Sequence, residues 1–168
     1  MKVDLNADVG ESFGRYTLGM DDHLIPLLSS ANIACGYHAG DPLVMEKPGE
    51  LCKNAGVALG VHPGFPDLQG FGRRNMDCTP KELKTMLLYQ MGALEAFLHK
   101  DGLKLQHVKP HGALYNMAAK EEELAKAICD AVKEYDSSLV ILAQASGKLY
   151  QLAEKMGIPV KAEVFMDR

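Results

Sequence analysis

The sequence predicts an α/β fold whose parallel strands and intervening helices curl into a (β/α) barrel. Three observations carry that prediction. Short apolar runs alternate with longer stretches of helical period along the whole chain. Polar residues recur at one parity on several of the predicted strands, which suits a barrel interior better than a sheet covered by helices on both faces. Of 168 residues 47% are hydrophobic, enough to bury one sizeable core, so a single domain is expected over 1–168.

The elements follow in order. Residues 3–7 read as the first strand and 20–28 as a helix opened by Asp21 and Asp22, which suit the positive end of the helix dipole. Residues 32–35 form the second strand. Asp41 followed by Pro42 is an N-cap with proline at the first helical position, starting a helix toward Asn54 that Gly56 closes. Pro48 and Gly49 interrupt that helix, costing about 3 and about 1 kcal/mol relative to alanine, so a kink or early end is expected there. Residues 57–61 form the third strand. The Gly/Pro-rich stretch 62–78 is long for a connection and reads as a functional loop.

Thr79, Pro80 and Glu82 make a capping-box start to the next helix. Leu83, Met86, Leu87, Met91, Leu94, Phe97 and Leu98 then recur at helical spacing until Gly102, a core stripe. A strand over 105–109, a helix over 121–135, a strand over 139–143, a helix over 148–156 and a strand over 159–165 complete the pattern. Right-handed crossovers between such parallel strands leave an open doubly wound sheet or a barrel.

Composition excludes several function classes. Lys plus Arg total 18 against 22 Asp plus Glu, a formal charge of -4, which leaves no basic excess for nucleic acid or anionic lipid. No apolar run approaches the length of a membrane span, and the amino terminus has no signal-peptide pattern, so a cytoplasmic protein is expected. Cys35, Cys52, Cys78 and Cys129 match neither a CxxC pair nor a zinc ribbon and read as free, core-filling thiols.

Because strand side chains alternate between faces, parity tells which polar groups converge. Asp4, Asn6 and Asp8 share one face of the first strand. Asn32, Ala34, Gly36 and His38 continue one row beyond the second, with Asp41 further on. Ala58, Gly60 and His62 form the third row, His107, Lys109 and His111 the fourth, and Glu163 and Asp167 end the sixth. These rows meet at the carboxyl ends of successive strands, where β/α folds assemble active sites. Asp8, His38 and His62 are the trio a divalent metal would use, with an open position for water. The same groups can act without metal, a carboxylate serving as base, His111 as acid and Lys109 as oxyanion stabiliser. The spacing leaves both open. Arg73 and Arg74, behind Gly70 and Gly72, are placed to clamp a carboxylate or phosphate. Neither GxGxxG nor GxxxxGK[ST] occurs.

Five blocks in order, DLNADVGESFG (4–14), NIACGYHAGDP (32–42), VHPGFPDLQGFGRR (61–74), VKPHGALYN (108–116) and EVFMDR (163–168), resemble the signature blocks of the LamB/YcsF family. The resemblance implies a (β/α) barrel of the glycoside hydrolase/deacetylase type. It also implies the role of the A subunit of the ATP-dependent 5-oxoprolinase, which opens 5-oxo-L-proline to L-glutamate with subunits B and C. On that reading Asp8 or Glu11 is the base, and His38, His62, Lys109 and His111 orient and stabilise. Asn6, Asp41, Arg73, Arg74 and Asp167 contact substrate. Without a phosphate-cradling loop, the chain either binds ATP in another way or leaves phosphorylation to its partners. The family continues beyond position 168, so the carboxyl-terminal part of the barrel is expected to be absent. The alternatives are a metal-dependent polysaccharide deacetylase-like or carbohydrate-active hydrolase, and a non-catalytic sugar- or partner-binding fragment.

Overall fold

The structure, a computed structural model, describes residues 3–165. Six strands run parallel in sequential order: β1 (Asn6–Val9), β2 (Ser30–Ala34), β3 (Ala58–His62), β4 (His107–Val108), β5 (Val140–Gln144) and β6 (Val160–Glu163). Adding each strand on the same side, with right-handed crossovers, puts all the connecting helices on one face and curls the sheet into a half-barrel. The helices are α1 (Asp21–Leu24), continued by a 3₁₀ turn Ile25–Leu27, α2 (Pro42–Ala55), α3 (Pro80–Lys100), α4 (Gly112–Ala118), α5 (Glu122–Tyr135) and α6 (Lys148–Lys155). Along the outer face α2 packs on α3, α3 on α5 and α5 on α6.

Two adjacent register rows explain how this sheet divides its faces. Val9, Ile33, Val61, Val108, Ile141 and Val160 lie side by side across all six strands. The first five are buried under the helices, meeting Leu83, Leu87, Met91, Leu94 and Leu98 of α3, the stripe read from periodicity. One residue earlier, Asp8, Asn32, Gly60 and His107 form a row on the opposite, concave face. Parity alone thus separates the hydrophobic core from the polar interior.

The local signals are realised as follows. Asp41 caps α2 by accepting from the backbone N–H of Leu43 and Val44, both at 2.9 Å, and Gly56 closes it at φ 68°. The capping box at Thr79 and Glu82 is complete. Three of the free cysteines are buried, and burial pushes the Cys35, Cys52 and Cys129 thiols up to about 12. Among the described residues no helix is long and apolar enough to cross a membrane.

Other expectations are corrected. α2 does not end early at Pro48 and Gly49; both are buried, and the helix runs on to Ala55. A Cβ at Gly10 would stand 3.2 Å from the Pro48 ring and one at Gly49 would stand 3.4 Å from Leu98, so tight packing against the β1 loop and α3 holds the helix through its weak point. β1 begins three residues later than position 3, and β6 is shorter than 159–165. Helix α4 was not expected, because it starts on a glycine at φ 54° and its N-cap residue His111 makes no capping bond. Tertiary burial of Ala113, Leu114, Tyr115 and Ala118 stabilises it instead.

Candidate active site

The concave face carries a chain of hydrogen bonds that rises from the strand interiors to the rim. Ser30 donates to Asp4 (2.7 Å), Asn6 donates to Ser30 (2.8 Å) and to Asn32 Oδ1 (3.0 Å), and Asn32 Nδ2 donates to Asn6 (2.6 Å) and Asp8 Oδ1 (2.7 Å). His107 reaches across β3 to donate from Nε2 to Asn32 Oδ1 at 2.6 Å. That reach exists because Gly60 stands between them, where a Cβ would overlap the His107 ring. Gly60→Ala is therefore expected to cost about 3 kcal/mol, the upper end of an overpacking penalty. Denaturant unfolding checks this, and a loss below about 1 kcal/mol would mean the ring has another place to go.

At the rim Lys109 Nζ lies 3.0 Å from Asp8 Oδ1 and 2.8 Å from Glu163 Oε1. Burial works against the ammonium, but the two carboxylates outweigh it and hold its pKa above the ordinary lysine value. Burial likewise favours a neutral Asp8, yet His62 and Lys109 overrule it and keep that carboxyl well below the usual range. Tyr115 donates to Glu163 at 2.6 Å and so fixes the far carboxylate.

Beside this triad three imidazoles are packed together. The His38 ring stacks on that of His111, with centroids 3.6 Å apart, and His62 stands edge-on to both. His62 Nδ1 donates to the Lys109 carbonyl at 2.7 Å, and His111 Nε2 donates to the Phe71 carbonyl at 2.7 Å. Phe71, at φ 54°, belongs to the long loop after β3, which wraps over the cluster. Burial, then His62, pulls His38 down to about 2; burial, then His62 and His38, pulls His111 to about 3. Glu11 accepts from His38 Nε2 at 3.1 Å, and burial pushes its carboxyl up against the opposing pull of His62 and His111. One ligand atom from each of Glu11, His38, His62 and His111 lies within 4.8 Å of the others.

The structure thus brings Asp8, Glu11, His38, His62, Lys109 and His111 into one cluster, with Asn6 in the ladder beneath. Asp8 sits beside the group of four ligand atoms, its Oδ1 taken by Lys109 and Asn32 and its Oδ2 3.3 Å from His62. Asp41 is drawn elsewhere: besides capping α2 it accepts from the Gly14 N–H at 2.7 Å, tying down the loop after β1. Arg74 is held by Asp67, whereas the Arg73 guanidinium lies 5.5 Å from the centre of the Phe71 ring. Asp167 lies outside the described residues. Asn32, His107 and Glu163 were visible in the parity rows but not singled out as site residues, and nothing in the sequence marks the Phe71 carbonyl.

Residues 3–168 match the LamB/YcsF family. The chain belongs to the LamB/YcsF family. Within that family it is similar to the protein of Clostridium beijerinckii named as the A subunit of 5-oxoprolinase, 56% identical over 99% of this chain and 66% of that protein. It is 54% identical to the protein of the same name from Pyrococcus horikoshii, again over 66% of its length. A solved structure, the "Lactam Utilization Protein" of Thermus thermophilus, superposes with a TM-score of 0.98 at 50% identity, covering 100% of this chain and 68% of that one. The chain therefore spans about two thirds of the length of the relatives it matches.

Proposed function

We propose that this LamB/YcsF chain is part of the A subunit of an ATP-dependent 5-oxoprolinase, opening the lactam of 5-oxo-L-proline to L-glutamate in the cytoplasm with subunits B and C. The observation that carries this reading is the convergence of Asp8, Lys109, Glu163 and three imidazoles on one rim of a half-barrel. The names of the relatives supply the substrate class. The relatives extend beyond the matched stretch, and the open side between edge strands β1 and β6 is where further barrel elements would sit.

A lactam is a resonance-stabilised amide, so its opening needs an activated water and a group to meet the charge that develops on the carbonyl oxygen. Asp8 and Glu11 flank the imidazoles as proton acceptors for that water. The Lys109 ammonium faces the developing oxyanion. Water adds hydroxide to the carbonyl carbon, the ring C–N bond breaks, and the remaining proton goes to the departing nitrogen. Arg73, which makes no ion pair among the described residues, is the group for the substrate carboxylate.

ATP itself is a poor match for these residues. Asp8, Glu11 and Glu163 outnumber Lys109 and Arg73, and Arg74 is committed to Asp67. A triphosphate would meet repulsion here, so ATP cleavage is assigned to the partner subunits.

The test combines the chain with subunits B and C, ATP and 5-oxoproline, and measures glutamate. Asp8→Asn is expected to lower turnover at least a hundredfold with the fold intact, because Lys109 keeps Glu163 as a partner. Wild-type turnover in that variant removes Asp8 from the chemistry, and no glutamate from a correctly folded complex refutes the reading.

A further inference from the structure

Two neighbouring nitrogens in the histidine cluster face each other at hydrogen-bond distance. A carbonyl oxygen only accepts, so the bonds to Lys109 and Phe71 place a proton on His62 Nδ1 and on His111 Nε2. The remaining nitrogens, Nε2 of His62 and Nδ1 of His111, stand 2.9 Å apart. Two acceptors at that distance repel unless a positive charge lies between them. Glu11 Oε1 adds a third donor, 3.7 Å from His111 Nδ1 and 4.0 Å from His62 Nε2. The circle through these three atoms has a radius of about 2.1 Å, the length of a metal–nitrogen or metal–oxygen bond.

The geometry points to a seat for one divalent transition metal ion, ligated by His62 Nε2, His111 Nδ1 and Glu11 Oε1. The surroundings are those such a site uses. Each ligating imidazole donates its other N–H to a backbone carbonyl, which fixes its tautomer and aim. The two rings stand nearly perpendicular, at 87°, rather than stacked. His38 is excluded as a ligand because its ring lies parallel to that of His111, at 5°, which would place the ion well out of its plane. It acts instead through Glu11, donating Nε2–H to the ligand oxygen at 3.1 Å. Nitrogen and oxygen donors of this kind suit zinc, manganese or iron, and two imidazoles with one carboxylate leave positions open for water. With an ion seated, Glu11 serves as a ligand and Asp8 is the carboxylate left to take the water proton.

This seat stands on its own geometry, so it is tested without turnover. The chain is stripped with chelator, titrated calorimetrically with zinc and with manganese chloride, and followed by ¹⁵N NMR of the imidazoles. One ion per chain is expected, with the Nε2 signal of His62 and the Nδ1 signal of His111 both moving to metal-bound shifts. Glu11→Gln, which keeps a hydrogen-bond acceptor for His38, is expected to weaken binding at least tenfold, and His111→Ala to abolish it. Circular dichroism verifies that each variant is folded; if His111→Ala is not, Glu11→Gln and the imidazole signals decide. A titration with no saturable binding overturns the proposal, as does binding that Glu11→Gln leaves unchanged. So does an imidazolium proton shared between the two nitrogens that persists at saturating metal.

Discussion

Denaturation curves collected from about pH 7.5 down to about pH 4.5 are expected to show stability falling steeply below about pH 6.5, the value at which histidines in the unfolded chain are half charged. His38, His107 and His111 are each pulled down in the folded protein, chiefly by burial, to about 2, about 4 and about 3. A depressed folded pKa means that the stabilisation is fully present above the unfolded pKa. It is lost as pH falls toward the folded value, because the unfolded chain takes up protons that the folded one refuses. With three such groups the slope between about pH 6 and about pH 4.5 is steeper than the ~1.4 kcal/mol per pH unit of a single group, and the raised carboxyl of Glu11 offsets part of it. Asp8, held below its ordinary range, adds a further loss only below about pH 4. A stability curve that stays flat between about pH 6.5 and about pH 5 would mean that these rings are solvated or already charged in the folded state.

Lys109→Met is the second large effect. Its side chain is only 7% exposed, between carboxylates that are 34% exposed at Asp8 and 14% at Glu163. Removing the ammonium leaves two like charges facing each other across a desolvated space. A broken buried pair costs about 3–5 kcal/mol, and the lower end applies here because Asp8 keeps some water. Turnover in the assembled enzyme is expected to vanish with it. The decisive variant combines Lys109→Met with Asp8→Asn and Glu163→Gln. Neutralising the carboxylates is expected to restore most of the stability but none of the turnover, separating the structural from the chemical role of the cluster. A single Lys109→Met chain as stable as wild type would show the carboxylates to be screened by solvent after all.

Both effects rest on side chains whose strand parity was legible in the sequence. Asn6 and Asp8, Gly60 and His62, and His107 and Lys109 alternate with apolar residues, and the parallel register carries that alternation from strand to strand. The capping box at Thr79, the N-cap at Asp41 and the left-handed Gly56 were equally local, because each is satisfied within a few residues of chain. Helix α4 was not legible, since its helical state is sustained by burial rather than by capping or propensity.

The division between sequence and structure follows from the range of the forces involved. The sequence by itself determined the order of strands and helices, the face each strand turns to the core, and the family, since these depend on periodicity and on short ordered motifs. Only the tertiary structure decided that Asp41 and Arg74 are taken up by Gly14 and Asp67, that Glu163 completes the Lys109 pair, and that Glu11 joins the histidines. It alone brought His62 Nε2 and His111 Nδ1 within 2.9 Å, because the backbone carbonyls of Lys109 and Phe71 orient the two rings. Hydrogen bonds and close charges act over a few ångströms between residues tens of positions apart, and spacing along the chain does not encode which of them meet.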